Sequence, residues 1–168
     1  MKIRIEKYND NWPYLFKKIK SRIKNSIGQY DAIIKHIGST SVKGLASKPI
    51  IDILIGVRHN SLDDYINPIK NLGFSYIKEY EKTIPNRRFF FLEKSKKRIA
   101  NIHLVNVKSK WFKRHIAFRD ELRSNKIIRE KYEILKYVLS EKEWKDGNEY
   151  ADAKTEFIRS IEKTLKIN

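Results

Sequence analysis

Ile37-Gly38-Ser39 and, beyond residues 40–51, Asp52-Ile53-Leu54-Ile55 set one pattern at the heart of this chain: a strand that breaks at a glycine, then a strand with a single acid among aliphatic residues. Ala32–Ile37 reads as the first strand. Pro49–Val57 reads as the second, apolar on both sides, which places it centrally in a sheet covered on both faces. A carboxylate in such a strand is costly unless something compensates it, so Asp52 is a candidate functional residue, with a purely structural bond to the Gly38 turn as the alternative. Gly38 lets the backbone come close to a ligand, and the amides and hydroxyls of Gly38, Ser39, Thr40 and Ser41 can then gather on an anion. A divalent ion can bridge that anion to Asp52.

Working outward, Asp10 or Asn11 is placed to cap a helix with Pro13 in its first turn and Leu15, Phe16, Ile19, Ile23 and Ile27 as its apolar stripe. A second helix runs from Ser61 to Gly73. Strands are predicted over Phe74–Tyr80, Arg87–Glu93 and Ile99–Val105, the last two joined by a hairpin tip at Lys94–Lys97. From Ser109 the period is helical: one helix with Trp111, His115, Phe118 and Leu122, a second capped by Asn125, and a last one opened by a capping box at Ser140–Glu143 and striped by Tyr150, Phe157, Ile158, Ile161 and Leu165. The expected architecture is α/β (α+β), a mixed sheet flanked by helices: one unit over 1–168, with an α/β core over 1–108 and helices over 109–168.

Composition narrows the chemistry. The 168 residues hold 40% hydrophobic and 12% aromatic residues, enough for a packed core and too many for a disordered chain. Cysteine is absent, which excludes disulfides, iron–sulfur clusters, thiolate zinc and a cysteine nucleophile, and leaves a metal only oxygen or imidazole ligands. The net charge is +17. Residues 1–110 carry 23 Lys and Arg against 9 Asp and Glu, and residues 111–168 carry 14 against 11, so the excess shares the part of the chain that holds Gly38 and Asp52. Nucleotides or RNA are partners for such a surface. The joint richness in Lys, Ile and Asn is also what an AT-rich genome produces. No apolar run is long enough to span a membrane and the first residues lack a signal core, so a cytoplasmic location is expected. Gly38 and Gly44 do not frame a Walker loop, and neither a Gly-x-Ser-x-Gly elbow nor a His-Glu-x-x-His helix is present.

The stretch from His36 to Ile53 resembles the nucleotidyltransferase superfamily signature and, more narrowly, that of the GrpB family. The likeness extends to Tyr8–Pro13, Arg88–Phe91, Asn101–Val105 and Arg114–Arg123, in order, over nearly the whole chain. The resemblance implies a nucleotidyltransferase-like fold, a nucleoside triphosphate as ligand, and Mg²⁺ or Mn²⁺ as cofactor. Asp52 would hold the metal as catalytic residue, Gly38, Ser39, Thr40 and Ser41 the phosphates, and Lys48 or Arg88 would neutralise them. Active transferases carry a second acid two residues after the first, on the same strand face. Leu54 stands there. His103 would complete the metal site, an imidazole in place of a carboxylate, with a hydrogen-bonded histidine at the sheet's end as its bland alternative. Two functions follow: nucleotidyl transfer to a hydroxyl acceptor, or an inactive nucleotide- or RNA-binding module of the same fold. Arg87 is a second choice for the phosphate clamp, while His115 reads as a core histidine and Arg119 and Asp120 as structural pairing.

Overall fold

A computed structural model describes residues 1–28, 30–165 and 167. Five strands, β1 (Ala32–Ile37), β2 (Ile51–Val57), β3 (Ser75–Tyr76), β4 (Arg87–Lys94) and β5 (Lys97–Asn106), form one sheet in the order β1-β2-β5-β4-β3. The central β2–β5 pair is parallel and the other three pairs are antiparallel. Six helices surround it: α1 (Asn11–Ser26), α2 (Ile66–Lys70), α3 (Lys110–Ser124), α4 (Lys126–Ser140), α5 (Gly147–Asp152) and α6 (Thr155–Thr164). This is the mixed α/β architecture expected from the sequence, with β5 in the middle of the sheet and β2 beside it, flanked on both sides.

Because side chains alternate along a strand, the register sorts them into two faces. Ile51, Ile53, Ile55 and Val57 share one with Ala100, Ile102 and Leu104 of β5 and Phe90 of β4, packed against Trp12, Ile19 and Ile23 of α1 and Ile69 of α2. Asp52, Leu54 and Gly56 share the other with Asn101, His103 and Val105, and with Arg87, Phe89 and Phe91 of β4. Part of this second face lies under α3, where Ile37, Leu54 and Val105 meet Trp111, Phe112 and Ile116. Gly56 is required there: a Cβ would stand 2.4 Å from the Phe112 ring.

Several local expectations are corrected. Asp10 precedes α1 without capping it; Asn9 does so, its Oδ1 accepting from the Asn11 amide at 2.9 Å. The helix after Ser61 is a 3₁₀ turn over Leu62–Tyr65 followed by the short α2, whose Pro68 sits in the first turn where no N–H is needed. The strand expected over Phe74–Tyr80 is paired only at Ser75–Tyr76, because Lys78–Lys82 wind into another 3₁₀ turn. Ser140 ends α4 instead of opening a helix, its hydroxyl donating back to the Tyr137 carbonyl at 2.7 Å. The cap belongs to Asp146, which accepts from Asn148 and Glu149 at 2.8 and 2.9 Å, and the final stripe is split between α5 and α6. The hairpin tip is as expected, with Ser95 and Lys96 both at positive φ, the geometry of a two-residue hairpin turn.

Candidate functional site

Gly38 leaves β1 at φ 68°, a conformation that disfavours any side chain, and a Cβ on it would lie 2.4 Å from Asp52 Oδ2. The glycine thus leaves room for the carboxylate, which stands opposite Ile37 in the register. Asn101, its neighbour on β5, donates Nδ2–H to Asp52 Oδ1 at 2.9 Å. The charges of Lys154, Lys48 and Arg98 all act on Asp52, Arg98 from the exposed edge, where it stacks on Phe91 at 4.3 Å. Burial pushes the carboxyl up, while the Asn101 bond and then Lys154, Lys48 and Arg98 pull it down.

The lysines sit among aromatic rings. Lys154 Nζ lies 3.8 Å and Lys48 Nζ 5.1 Å from the centre of the Tyr150 ring, geometry in which the ring's electron-rich face attracts the ammonium. Burial brings Lys154 down to about 7, helped by the charge of Lys48 and opposed by Asp52, and lowers Lys48 as well. Lys136 on α4 is also held at about 7 by burial; its ammonium donates to the Ala46 carbonyl, while Glu133 accepts from the Ala46 amide at 2.6 Å. Two buried polar atoms beside this cluster have no partner among the described residues, Asn101 Oδ1 and the Tyr150 hydroxyl. Buried polar atoms are nearly always paired, so these two are exceptions within the cluster.

The other candidates from the sequence separate into three groups. Ser39 faces Tyr132, next to Asp52. Thr40 and Ser41 are spent on the turn itself: Thr40 Oγ1 donates to the Ile50 carbonyl at 3.1 Å and lies 3.0 Å from His36 Nε2, and Ser41 Oγ donates to the Gly38 carbonyl at 2.6 Å. Arg119 and Arg123 of α3 clasp the same segment, Arg119 through the His36 carbonyl at 3.0 Å and Arg123 through both its Nε and Nη2 to the Ser41 carbonyl. Arg88 is neutralised by Asp63 at 2.7 Å and Glu81 at 3.0 Å. His103 stands beside Leu54 in the register, stacks on Trp111 at 4.9 Å and faces Arg87, 3.5 Å from its Nδ1. Burial and then the charges of Arg87 and His115 keep it neutral.

Leu54 itself is fully buried beneath α3. No group of three or more His, Cys, Asp or Glu able to share a metal occurs among the described residues. A single carboxylate under the influence of three cations does not fit a divalent metal, whose charge those cations oppose. Sequence reasoning missed Lys154, Tyr150, Tyr132, Lys136 and Arg98. Lys154 falls in the break between α5 and α6, where no periodicity marks it. An open groove of about 380 Å³, lined by Tyr8, Pro13, Ser41, Val42, Lys43 and Arg123, shares Ser41 with the turn and nothing with the Asp52 cluster.

The family model for GrpB protein matches residues 2–164. The chain belongs to the GrpB family. It is 32% identical to the Glutamate-rich protein GrpB of Alkalihalophilus pseudofirmus over 159 residues, covering 92% of this chain and 90% of that relative. The crystal structure of conserved protein GrpB from Enterococcus faecalis superposes with a TM-score of 0.83 at 29% identity, covering 96% of each chain. A Cid1 poly (U) polymerase with MgGTP bound aligns at a TM-score of 0.49 and 13% identity over 82% of this chain and 43% of its own, a likeness that says nothing of activity. This GrpB chain has no helix, among its described residues, long and apolar enough to cross a membrane.

Proposed function

We propose that this GrpB protein is a phosphate-recognising module that binds a nucleoside triphosphate, or the phosphates of RNA, without transfer chemistry of its own. The observation that carries this reading is the charge around Asp52: Lys154 and Lys48, gathered on the Tyr150 ring, act on it together with Arg98, and Gly38 leaves it room. Three cations to one carboxylate leave net positive charge for a polyphosphate. Lys154, held at about 7, recovers its proton when an anion arrives, which strengthens the contact. Ser39, Asn101 Oδ1 and the Tyr150 hydroxyl supply polar contacts that can be aimed at the rest of the ligand. Arg88, held by two acids, has no charge to spare.

The transfer reading asks for a second metal ligand on the Asp52 face of β2. That place is Leu54, shut under α3, and His103 beyond it turns toward Arg87 and Trp111. Both features support binding over catalysis.

Calorimetry with ATP, GTP and UTP, with and without Mg²⁺, tests the reading. Lys154→Met and Lys48→Met should each weaken binding by about tenfold or more, the worth of one charge-assisted contact. Asp52→Asn should keep or tighten binding, and Mg²⁺ should be dispensable. If Asp52→Asn abolishes Mg²⁺-dependent binding, or wild type but not Asp52→Asn labels an acceptor in cell extract from a radiolabelled triphosphate, the protein is a transferase instead. For RNA, several phosphate contacts require affinity to fall steeply between low and moderate salt.

A further inference from the structure

Arg87 opens β4 on the same sheet face as Asp52, but in a different row of the register, opposite Val105. Its guanidinium lies 5.6, 5.8 and 6.0 Å from the ring centres of Phe89, Trp111 and Tyr80. Its Nε is buried without a partner, and among the described residues no acid pairs with it. The contrast with the next residue is complete: Arg88 has Asp63, Glu81 and the Pro85 carbonyl. A half-buried guanidinium with no counterion pays its desolvation cost without return, so the fold keeps Arg87 there for some other partner.

The neighbouring histidines hold the frame. Arg87 Nη1 can only donate, so His103 Nδ1 accepts and the neutral ring carries its proton on Nε2. His103 and His115 both stack on Trp111, at 4.9 and 3.4 Å, and His115 Nδ1 donates to the Trp111 carbonyl at 2.8 Å. Glu162, the acid near His115, is already engaged by Arg114 at 2.9 Å and Arg159 at 2.6 Å. What remains is a cation with an unpaired N–H in an aromatic frame.

We propose that Arg87 and His103 form a second oxyanion site, separate from the Asp52 cluster, which takes one phosphate group, free or borne by a nucleotide. Arg87 Nε and Nη2, the free fork of the guanidinium, hold two of its oxygens, while His103, whose Nδ1 faces Nη1 on the other edge, fixes the guanidinium and reports its occupancy. Lys48, Lys154 and Arg98 take no part, so the site stands or falls independently of the function proposed above.

The test is a titration of inorganic phosphate at low ionic strength into ¹⁵N-labelled full chain, following the His103 ring nitrogens. In wild type and Lys154→Met these signals should move and saturate, and thermal stability should rise with phosphate. Arg87→Met should fold with an unchanged or higher melting temperature, since an uncompensated charge is gone, and should lose at least tenfold in phosphate affinity. Arg87→Lys, which keeps the charge and loses the fork, should lose most of it too. Repeating the titration with a nucleoside monophosphate separates the two sources: equal affinity marks free phosphate as the ligand, and tighter binding that still moves His103 marks a nucleotide. His103 signals that stay fixed in wild type, or move equally in Arg87→Met, overturn the proposal.

Discussion

Along β2, Ile51, Ile53, Ile55 and Val57 turn toward α1 and α2, while Asp52, Leu54 and Gly56 turn toward α3 and the helices beyond it. The first set is sealed in one apolar cluster. The second meets an ammonium cluster, a small apolar plug and an unpaired arginine within one sheet face. Orphaned polar atoms lean the same way: Asn101 Oδ1, Tyr150 OH and Arg87 Nε belong to the second side, against the Tyr65 hydroxyl on the first. The comparison teaches that one face specifies the fold and leaves the other free to carry charge that the fold does not need.

The sharpest way to break that division is Leu54→Asp, which restores an acid at the place where transferases carry one. Because position 54 is sealed by α3, the new carboxylate would be buried without a partner and should cost about 3–5 kcal/mol. Urea unfolding would measure the loss, and calorimetry should detect no Mg²⁺ binding in return. Ile53→Ala on the opposite side should cost about 2–5 kcal/mol through the cavity it leaves, yet the folded fraction should bind phosphate as wild type does. Gly38→Ala is smaller in stability, about 1–2 kcal/mol for its left-handed backbone, but its methyl group would displace the Asp52 carboxylate, so its effect should be larger on ligand affinity than on unfolding.

The division should also show in the pH dependence. His36, stacked on Phe16, is held at about 3 and His115 at about 4 by burial, while Lys154 and Lys136 are held at about 7. In each case the unfolded chain, with ordinary values, binds the proton more readily. Stability should therefore rise with pH twice, between about 3 and 6.5 as the histidines of the unfolded chain lose their protons, and again between about 7 and 10.5 for the lysines. Lys154→Met should flatten the upper rise and leave the lower one. In wild type, affinity for a nucleoside triphosphate at the Asp52 cluster should weaken as pH climbs through 7 and Lys154 loses its charge.

Much of this was legible in the residues. The unbroken aliphatic run around Asp52 announced a central strand, and a glycine directly before three hydroxyl residues announced the turn that faces it. The half of the site contributed by Lys154, Tyr150 and Tyr132 was not, because those residues come from the distant helical end of the chain, where Tyr132 and Tyr150 read as apolar stripe and Lys154 falls between α5 and α6 with no period to mark it. The two arginines at 87 and 88 show the same limit. Adjacent residues on a strand point to opposite faces, and which one finds Asp63 and Glu81 depends on where a distant turn comes to lie.

The parallel seam between β2 and β5 bears on the order of assembly. The β4–β5 hairpin closes over a two-residue turn and can form locally, whereas Asp52 and Asn101 meet only when segments 49 positions apart are joined. Contacts of that separation are slow to form. A partly folded chain can therefore possess the hairpin, with Arg87 and His103 already side by side, while Asp52 has not yet met Asn101.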